Sequence, residues 1–115
     1  MQYGICPLSI VPLRAEPKNT SEQTSQLLYG EFFTVVDARK SWSKIQNESD
    51  GYEGGINNKH FLFIEKSIFQ KLQATKKKYA GDLVDFIWKD NDILFPVPIG
   101  SLVSSAQILG HRFEG

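Results

Sequence analysis

Several features that would define a function are scarce or missing in this sequence. Cys6 is the single cysteine among 115 residues, which excludes an internal disulfide framework and fits a reducing compartment. Thirteen basic and thirteen acidic residues give a formal net charge of zero, so no overall field attracts nucleic acid or an anionic membrane. We therefore expect neither nucleic acid nor a membrane as a partner.

The first residues show no targeting signal. No basic region precedes the first apolar run, and Pro7 and Pro12 interrupt that run well short of the length that spans a membrane. This pattern predicts an unexported protein with a cytoplasmic location, and it makes the cell envelope the less favoured alternative.

The residues that carry most catalysis and metal binding are also few. A cysteine peptidase needs a thiolate beside a histidine, whereas Cys6 lies in a predicted strand and His60 and His111 fall in a turn and near the end. Their spacing matches no metal-binding pattern, and no glycine-rich phosphate loop leads from a strand into a helix. We expect no catalytic residue, metal or cofactor, and we expect Cys6 to be a small buried hydrophobic residue.

What the sequence does contain is a β pattern. Short runs of β-branched and aromatic residues are separated by turn-forming clusters at 15–22, 39–42, 47–51 and 56–60. The predicted strands lie near 3–6, 9–14, 31–38, 42–47 and 52–57. Short strands joined by tight turns indicate a mainly β fold, either a small barrel or a sandwich.

The period changes after residue 62. Ile64, Ile68 and Leu72 recur at helical spacing, and Ser67 followed by Gln70 matches a capping box. We predict a linking segment at 63–80 that contains a short helix from about 68 to 77.

The β pattern then returns over 81–115. "KDND" is predicted to turn between "LVDFIW" and "ILFPV", and "SAQILGHRFEG" could add one more strand. Three strands are too few to close a barrel, so we expect an incomplete, truncated second β unit. Its exposed edge could pair with a second copy to give a weak homodimer.

The first half of the chain carries a family resemblance. The segments "VPLRAEP", "SEQTSQLLYGE", "WSKI" and "DGYEGGIN" occur in this order between residues 3 and 61. Together they resemble the amino-terminal bacterial SH3-like domain that precedes the catalytic domain of NlpC-type cysteine peptidases, particularly unexported Bacteroidetes-like ones. The resemblance implies an SH3-like barrel at 1–62 and a partial second SH3-like unit at 81–115.

The resemblance also implies a function. Such parent enzymes are γ-D-glutamyl-L-diamino acid endopeptidases that cut peptidoglycan stem peptides with a cysteine and a histidine of their carboxy-terminal domain. This chain would then be a non-catalytic module for substrate positioning and targeting, with the missing catalytic domain and a muropeptide or stem peptide as partners. The alternative is a free-standing SH3-like adaptor that binds an extended protein segment.

Strand alternation selects the candidate ligand-binding residues. If Ile45 and Ile56 point inward, Tyr52 also points inward, and Trp42 turns outward. Adjacent glycines weaken a strand and mark a bulge or a close backbone approach, and Gly55 stands where this family commonly has tryptophan. The candidate residues are Tyr29, Glu31, Trp42, Asp50, Tyr52, Glu53 and Gly55.

These candidates have other interpretations. For Trp42 the half-buried edge of a core is favoured over a ligand platform. Tyr29 and Glu31 flank Gly30 and are expected to shape a turn, although both could line a groove. If a stem peptide with a free amino terminus binds, a carboxylate such as Glu53 or Asp50 would meet its amine through a charge-assisted hydrogen bond.

Overall fold

The computed structural model describes residues 1–16 and 21–114, so the predicted turn at 15–22 lies partly outside the described residues. The fold is mainly β, as predicted. The regular elements, apart from two short 3₁₀ turns, are β1 (Gln2–Ile5), β2 (Ile10–Arg14), β3 (Gln23–Leu28), β4 (Phe32–Ala38), β5 (Trp42–Asn47), β6 (Glu53–Asn57), β7 (Leu62–Ile64), α1 (Lys66–Ala74), β8 (Val84–Lys89), β9 (Asp92–Pro98) and β10 (Arg112–Phe113).

Seven strands form one antiparallel sheet in the order β3-β2-β6-β5-β4-β1-β7. Side chains from strands near both ends of this order pack into one cluster, so the sheet curls around a shared interior as a small barrel does. The buried members of this barrel core are Cys6, Val11, Leu13, Leu27, Phe33, Val35, Ile45, Ile56 and Phe61.

The five strands predicted in this region are all present, and two more were missed. The sequence of β3, QTSQLL, is mostly polar because this strand lies at the edge of the sheet and buries only Leu27. The sequence of β7 has only three residues, which pair with β1. Neither strand has enough alternation to be recognised from sequence, because neighbouring strands and not local pattern hold them in place.

The predicted burial of β4 on two faces is confirmed for its first half. Phe33 points into the barrel core, and its neighbour Phe32 points to the other side, where α1 packs. The last three residues of the strand, Val36, Asp37 and Ala38, follow a register shift between Val35 and Asp37 and are all exposed.

The adjacent glycines in β6 are explained by the close approach of another strand. The register pairs Gly55 with Arg14 of β2 and with Lys44 of β5. A Cβ atom at Gly54 would lie 3.2 Å from the carbonyl oxygen of Arg14 and 3.3 Å from Cβ of Leu13. The predicted close backbone approach is therefore present, and it is made by the protein's own β2.

The helix differs from its prediction. It begins at Lys66 and ends at Ala74, instead of spanning 68–77, and its N-cap is Glu65, which makes no side-chain capping bond. The predicted capping box of Ser67 and Gln70 is therefore wrong, because Ser67 already lies in the first turn. At the other end, the hydroxyl of Thr75 donates to the carbonyl of Lys71 at 2.7 Å.

Helix α1 lies against the outside of the barrel. The ring of Phe69 stacks on Tyr3 with centroids 4.2 Å apart and meets Phe32 edge-on at 5.6 Å. Leu72 and Leu102 complete the same buried cluster. Aromatic pairs of this kind contribute about 0.5–1.5 kcal/mol beyond the area they bury, so α1 is held mainly by its apolar face.

The second β unit is a three-stranded sheet in the order β10-β8-β9. The predicted hairpin turn at 89–92 is confirmed, with Asp90 in the left-handed region at φ 55°. The predicted last strand is confirmed only in part: β10 has two residues, and 106–110 form turns. The inner face of this sheet packs into what we call the junction core, whose buried members are Tyr29, Ala80, Ile87, Val97, Val103 and Ala106.

The barrel and the second unit meet at the turn between β3 and β4. The amide of Leu102 donates to the carbonyl of Tyr29 at 2.7 Å, and the hydroxyl of Ser105 donates to the carbonyl of Gly30 at 2.8 Å. Gly30 has φ 82°, and a Cβ atom there would overlap the carbonyl of Leu102. Gly30 is therefore required both for its conformation and for the approach of the second unit.

We expect Gly30→Ala to destabilise the protein by more than about 2 kcal/mol, because it combines a strained φ with a backbone overlap. Gly51→Ala is the matched control: Gly51 has φ 72°, and a Cβ atom there would meet nothing within 4 Å. Urea unfolding of both variants measures the difference. Equal losses would show that the contact with Leu102 is unimportant.

Candidate functional site

A small cleft lies where the β3–β4 and β5–β6 turns face the chain that follows α1. We call it the Glu31 cleft. It is lined by Glu31, Phe32, Asn47, Glu48, Ser49, Lys77, Tyr79 and Leu102. The open space corresponds to about one water-sized group. The barrel supplies the floor, and the second part of the chain supplies one wall.

Glu31 is the half-buried acid of this cleft. One carboxylate oxygen, Oε1, accepts a 2.7 Å hydrogen bond from the amide of Leu28, which closes the turn. The other, Oε2, accepts from the amide nitrogen of Asn47 and from the hydroxyl of Ser49, both at 3.2 Å. All three of these donors are neutral, so none of these bonds gives the carboxylate a cationic partner, and a cation could still be accommodated.

Asn47 adds a second acceptor. Its side chain is buried at the end of β5, and its oxygen Oδ1 has no hydrogen-bond partner within the described residues. A buried acceptor without a donor costs about 1–3 kcal/mol. This oxygen has no accessible surface, so a donor that entered the cleft would relieve this cost only if the amide of Asn47 turned toward it.

The rim of the cleft combines charge and aromatic surface. The ammonium group of Lys77 lies 5.6 Å from the centroid of the Phe32 ring, and Tyr79 is about half exposed. Glu48 accepts a 2.7 Å hydrogen bond from Gln73 of α1. The helix and the segment that follows it therefore fix the outer wall.

The structure places the sequence-predicted residues in three different locations. Glu31 lies in the cleft. Tyr29 has no exposed surface, and its hydroxyl lies 2.7 Å from Nδ1 of His111. Its expected position in a groove wall is therefore corrected: Tyr29 is a junction-core residue, and this burial, together with the nearby Cys6, raises its pKa above the ordinary value.

The remaining candidates belong to β5, β6 and the turn between them. The carboxylate of Asp50 accepts a 2.9 Å hydrogen bond from the amide of Tyr52 and shapes this turn. Tyr52 is half-buried against the barrel core, on the inward side as expected. Glu53 is exposed and forms a 3.3 Å ion pair with Lys44.

Trp42 and Gly55 share the outward face of the sheet. Trp42 pairs with Asn57, and the next pair on the same face of the sheet is that of Lys44 with Gly55. Trp42 is half-buried, and Gly55 is buried between its neighbours. Whether this face binds a ligand stays a prediction, because its two charged groups, Lys44 and Glu53, already pair with each other.

Cys6 behaves as a buried hydrophobic residue. Its thiol donates to the carbonyl of Leu8 at 3.3 Å and has no exposed surface. Burial raises the pKa of this thiol to about 12, so the reactive thiolate is not formed near neutral pH.

Within residues 1–16 and 21–114, no three residues among the histidines, cysteines and acids cluster as metal ligands would. In the same part of the chain, no helix has both the length and the apolar character needed to cross a membrane.

Sequence reasoning missed Asn47, Ser49 and Lys77 as members of the cleft. Asn47 and Ser49 lie in a turn-forming cluster, which sequence identifies only as a turn. One feature of the sequence could have identified Asn47. In β5 the alternate residues Ser43, Ile45 and Asn47 point inward. A polar side chain at an inward position needs a hydrogen-bond partner, so Asn47 could have been recognised as part of a specific contact.

The fold is that of a small β module with an SH3-like barrel. Residues 13–60, less than half of the chain, match the family described as the bacterial dipeptidyl-peptidase SH3 domain. No curated protein matches the chain. The match runs from the end of β2 through β6; it supports a bacterial SH3-like domain and suggests an accessory module associated with peptidases.

The contact between Tyr29 and His111 predicts a pH dependence. Burial lowers the pKa of His111 from its usual value of 6.5, and Lys89 lowers it further. The imidazole of His111 is therefore protonated at a higher pH in the unfolded chain than in the folded chain. The contribution of His111 to stability is therefore complete above 6.5 and is lost as the pH falls toward the lowered pKa.

We expect His111→Gln to flatten this decline in thermal stability between about pH 7 and pH 5. His60→Gln, which leaves His111 in place, is the control and should keep the wild-type profile. An unchanged profile in the His111→Gln variant would contradict the assignment.

Proposed function

We propose that this chain is the non-catalytic module of an NlpC-type γ-D-glutamyl-diamino acid endopeptidase, and that it positions a peptidoglycan stem peptide by its free amino terminus. The observation that carries the proposal is the carboxylate of Glu31, whose hydrogen-bond donors are all neutral, in a cleft that Asn47 and Ser49 also line. The sequence resemblance supplies the substrate class, and the match to a bacterial peptidase SH3 domain supports the association with a peptidase.

The chemistry of the cleft favours an amine over an anion. Glu31 and Ser49 present carboxylate and hydroxyl oxygens to a small space that Asn47 and Glu48 also line. A primary ammonium group donates three hydrogen bonds and carries the charge that Glu31 lacks as a partner. Lys77 lies over Phe32, at the rim, where it could meet a carboxylate further along a peptide.

Glu31 replaces the two acids that the sequence analysis suggested as partners for the amino terminus of the peptide. Glu53 is paired with Lys44, and Asp50 is used by the turn. Both are exposed, and charge pairs in water contribute only about 0–1 kcal/mol. A half-buried carboxylate such as Glu31 is screened less, so the same contact there is stronger.

The size of the cleft limits what the module does alone. About one water-sized group fits inside, so the amine and little else of a stem peptide would be enclosed. The rest of the peptide would lie along a catalytic domain that faces the cleft. In this arrangement the module selects peptides with a free amino terminus, and the catalytic domain performs the hydrolysis.

The adaptor alternative is supported less well. Binding of an extended segment uses a row of exposed aromatic rings, and Tyr29, which was a candidate for such a row, is fully buried. The cytoplasmic location stays a prediction.

The proposal is tested by titrating the isotope-labelled chain with the tripeptide L-alanyl-γ-D-glutamyl-diamino acid and recording NMR chemical shifts. We expect saturable shifts at Glu31, Asn47 and Ser49 with millimolar or tighter affinity. The amino-terminally acetylated tripeptide should bind at least ~tenfold more weakly, because a charge-assisted hydrogen bond contributes about 1.5–3 kcal/mol.

Two variants localise the effect. Glu31→Gln should weaken binding of the free tripeptide by a similar factor, whereas Glu53→Gln, on the other face, should not, and thermal unfolding checks that both variants fold. Equal binding of the free and acetylated peptides, or shifts centred on Trp42 and Gly55, would contradict the proposal.

A further inference from the structure

The outer face of the second sheet is largely apolar and exposed, and at one end the guanidinium of Arg112 lies 5.2 Å from the centroid of the Trp88 ring. Three cross-strand pairs form it: Val84 with Pro98, Phe86 with Pro96, and Trp88 with Ile93. The opposite face of the same sheet buries Ile87 and Val97 in the junction core. A sheet with one buried face ordinarily shows polar residues on the other, so this second apolar face needs an explanation.

The apolar surface continues beyond the sheet. A groove at one end of it is lined by Ser9, Ile10, Leu83, Val84, Pro96, Val97 and Pro98. The hydroxyl of Ser9 hydrogen-bonds to the carbonyl of Pro96 and so joins the barrel to the edge of this surface. We call the three pairs together with Ile10 and Leu83 the outer face.

The area of the outer face is that of an interface. Five of its large side chains, Ile10, Leu83, Val84, Phe86 and Ile93, expose between 43% and 82% of their surface. Together they form an apolar surface on the order of several hundred Å², the size at which exposed apolar patches mark interaction sites. A standard interface buries roughly 800 Å² per partner.

We propose that the outer face binds the outer face of a second copy of this chain, in a symmetric dimer. The net charge of zero means that two copies do not repel each other as they approach. A two-fold contact needs a surface that complements itself, and the apolar pairs of Val84 with Pro98 and of Phe86 with Pro96 meet that need. The charged Arg112 lies over Trp88, at the other end of the face. The proposal does not depend on the Glu31 cleft, whose lining residues are all different.

The sequence of β9 favours contact through the outer face over pairing at the edge of the sheet. β9 is an edge strand, and Pro96 and Pro98 supply no backbone N–H group to it. An additional strand would therefore find donors missing at two positions along this edge. Self-association by edge pairing, which the sequence suggested, is disfavoured here.

The test measures the oligomeric state of the full chain by sedimentation equilibrium across a range of concentrations. We expect a concentration-dependent dimer. Val84→Lys and Phe86→Lys should each raise its dissociation constant by at least ~tenfold. Val36→Lys and Phe63→Lys are matched controls, because these residues are exposed to a similar extent, 46% and 49%, outside the outer face. They should leave the dimer within about threefold of wild type.

Three outcomes would overturn the proposal: a monomer up to near-millimolar concentration, a dimer that the Val84 and Phe86 variants leave intact, and a monomer whose outer face binds a peptidase domain supplied separately. Thermal unfolding of each variant separates loss of association from loss of folding. If Val84→Lys fails to fold, Phe86→Lys and its Phe63 control still decide the question.

Discussion

The structure depends on one turn, Tyr29–Gly30–Glu31, which connects two strands of the barrel and also holds the second β unit. The carbonyls of Tyr29 and Gly30 each accept a hydrogen bond from the 102–105 segment, and both contacts exclude solvent. Buried carbonyl groups left unpaired would cost about 1–3 kcal/mol each. Neither unit can therefore move away without losing these bonds.

The same turn is fixed from the barrel side. The amide of Gly30 donates to the carbonyl of Cys6 at 2.9 Å, and the amide of Cys6 donates to the carbonyl of Glu31 at 2.8 Å. Three consecutive residues thus contact three different parts of the structure: Tyr29 packs in the junction core, Gly30 lies against Leu102, and Glu31 lines the cleft. The position of the Glu31 carboxylate follows from how the two units pack.

This arrangement explains what the sequence could and could not predict. Strands β4, β5 and β6 were predicted because their apolar residues alternate and their turns contain recognisable residues. The glycine pair was correctly taken as a sign of close approach, yet sequence could not show that the approaching strand was β2. Tyr29 was expected to shape a turn or to line a groove, because a tyrosine beside a glycine in a turn gives no indication of a core contributed by residues far along the chain.

The cleft shows the same limit. Glu31 was among the candidates, but Asn47, Ser49 and Lys77 reach it from separate segments. Local pattern predicts elements well, whereas a site assembled from several turns depends on contacts between residues distant in sequence. The weak edge strand β3 and the short β7 belong to this class too, since neighbouring strands define them.

The central claim is that the turn at residues 29–31 joins the barrel and the second unit into one cooperative structure. Native-state hydrogen exchange of the amides of Leu102, Gly30 and Cys6 tests it most directly. The account predicts that all three exchange only through global unfolding, with the same dependence on denaturant. Exchange of the Leu102 amide through a local opening, while Gly30 and Cys6 stay protected, would show that the second unit detaches from an intact barrel and would contradict the account.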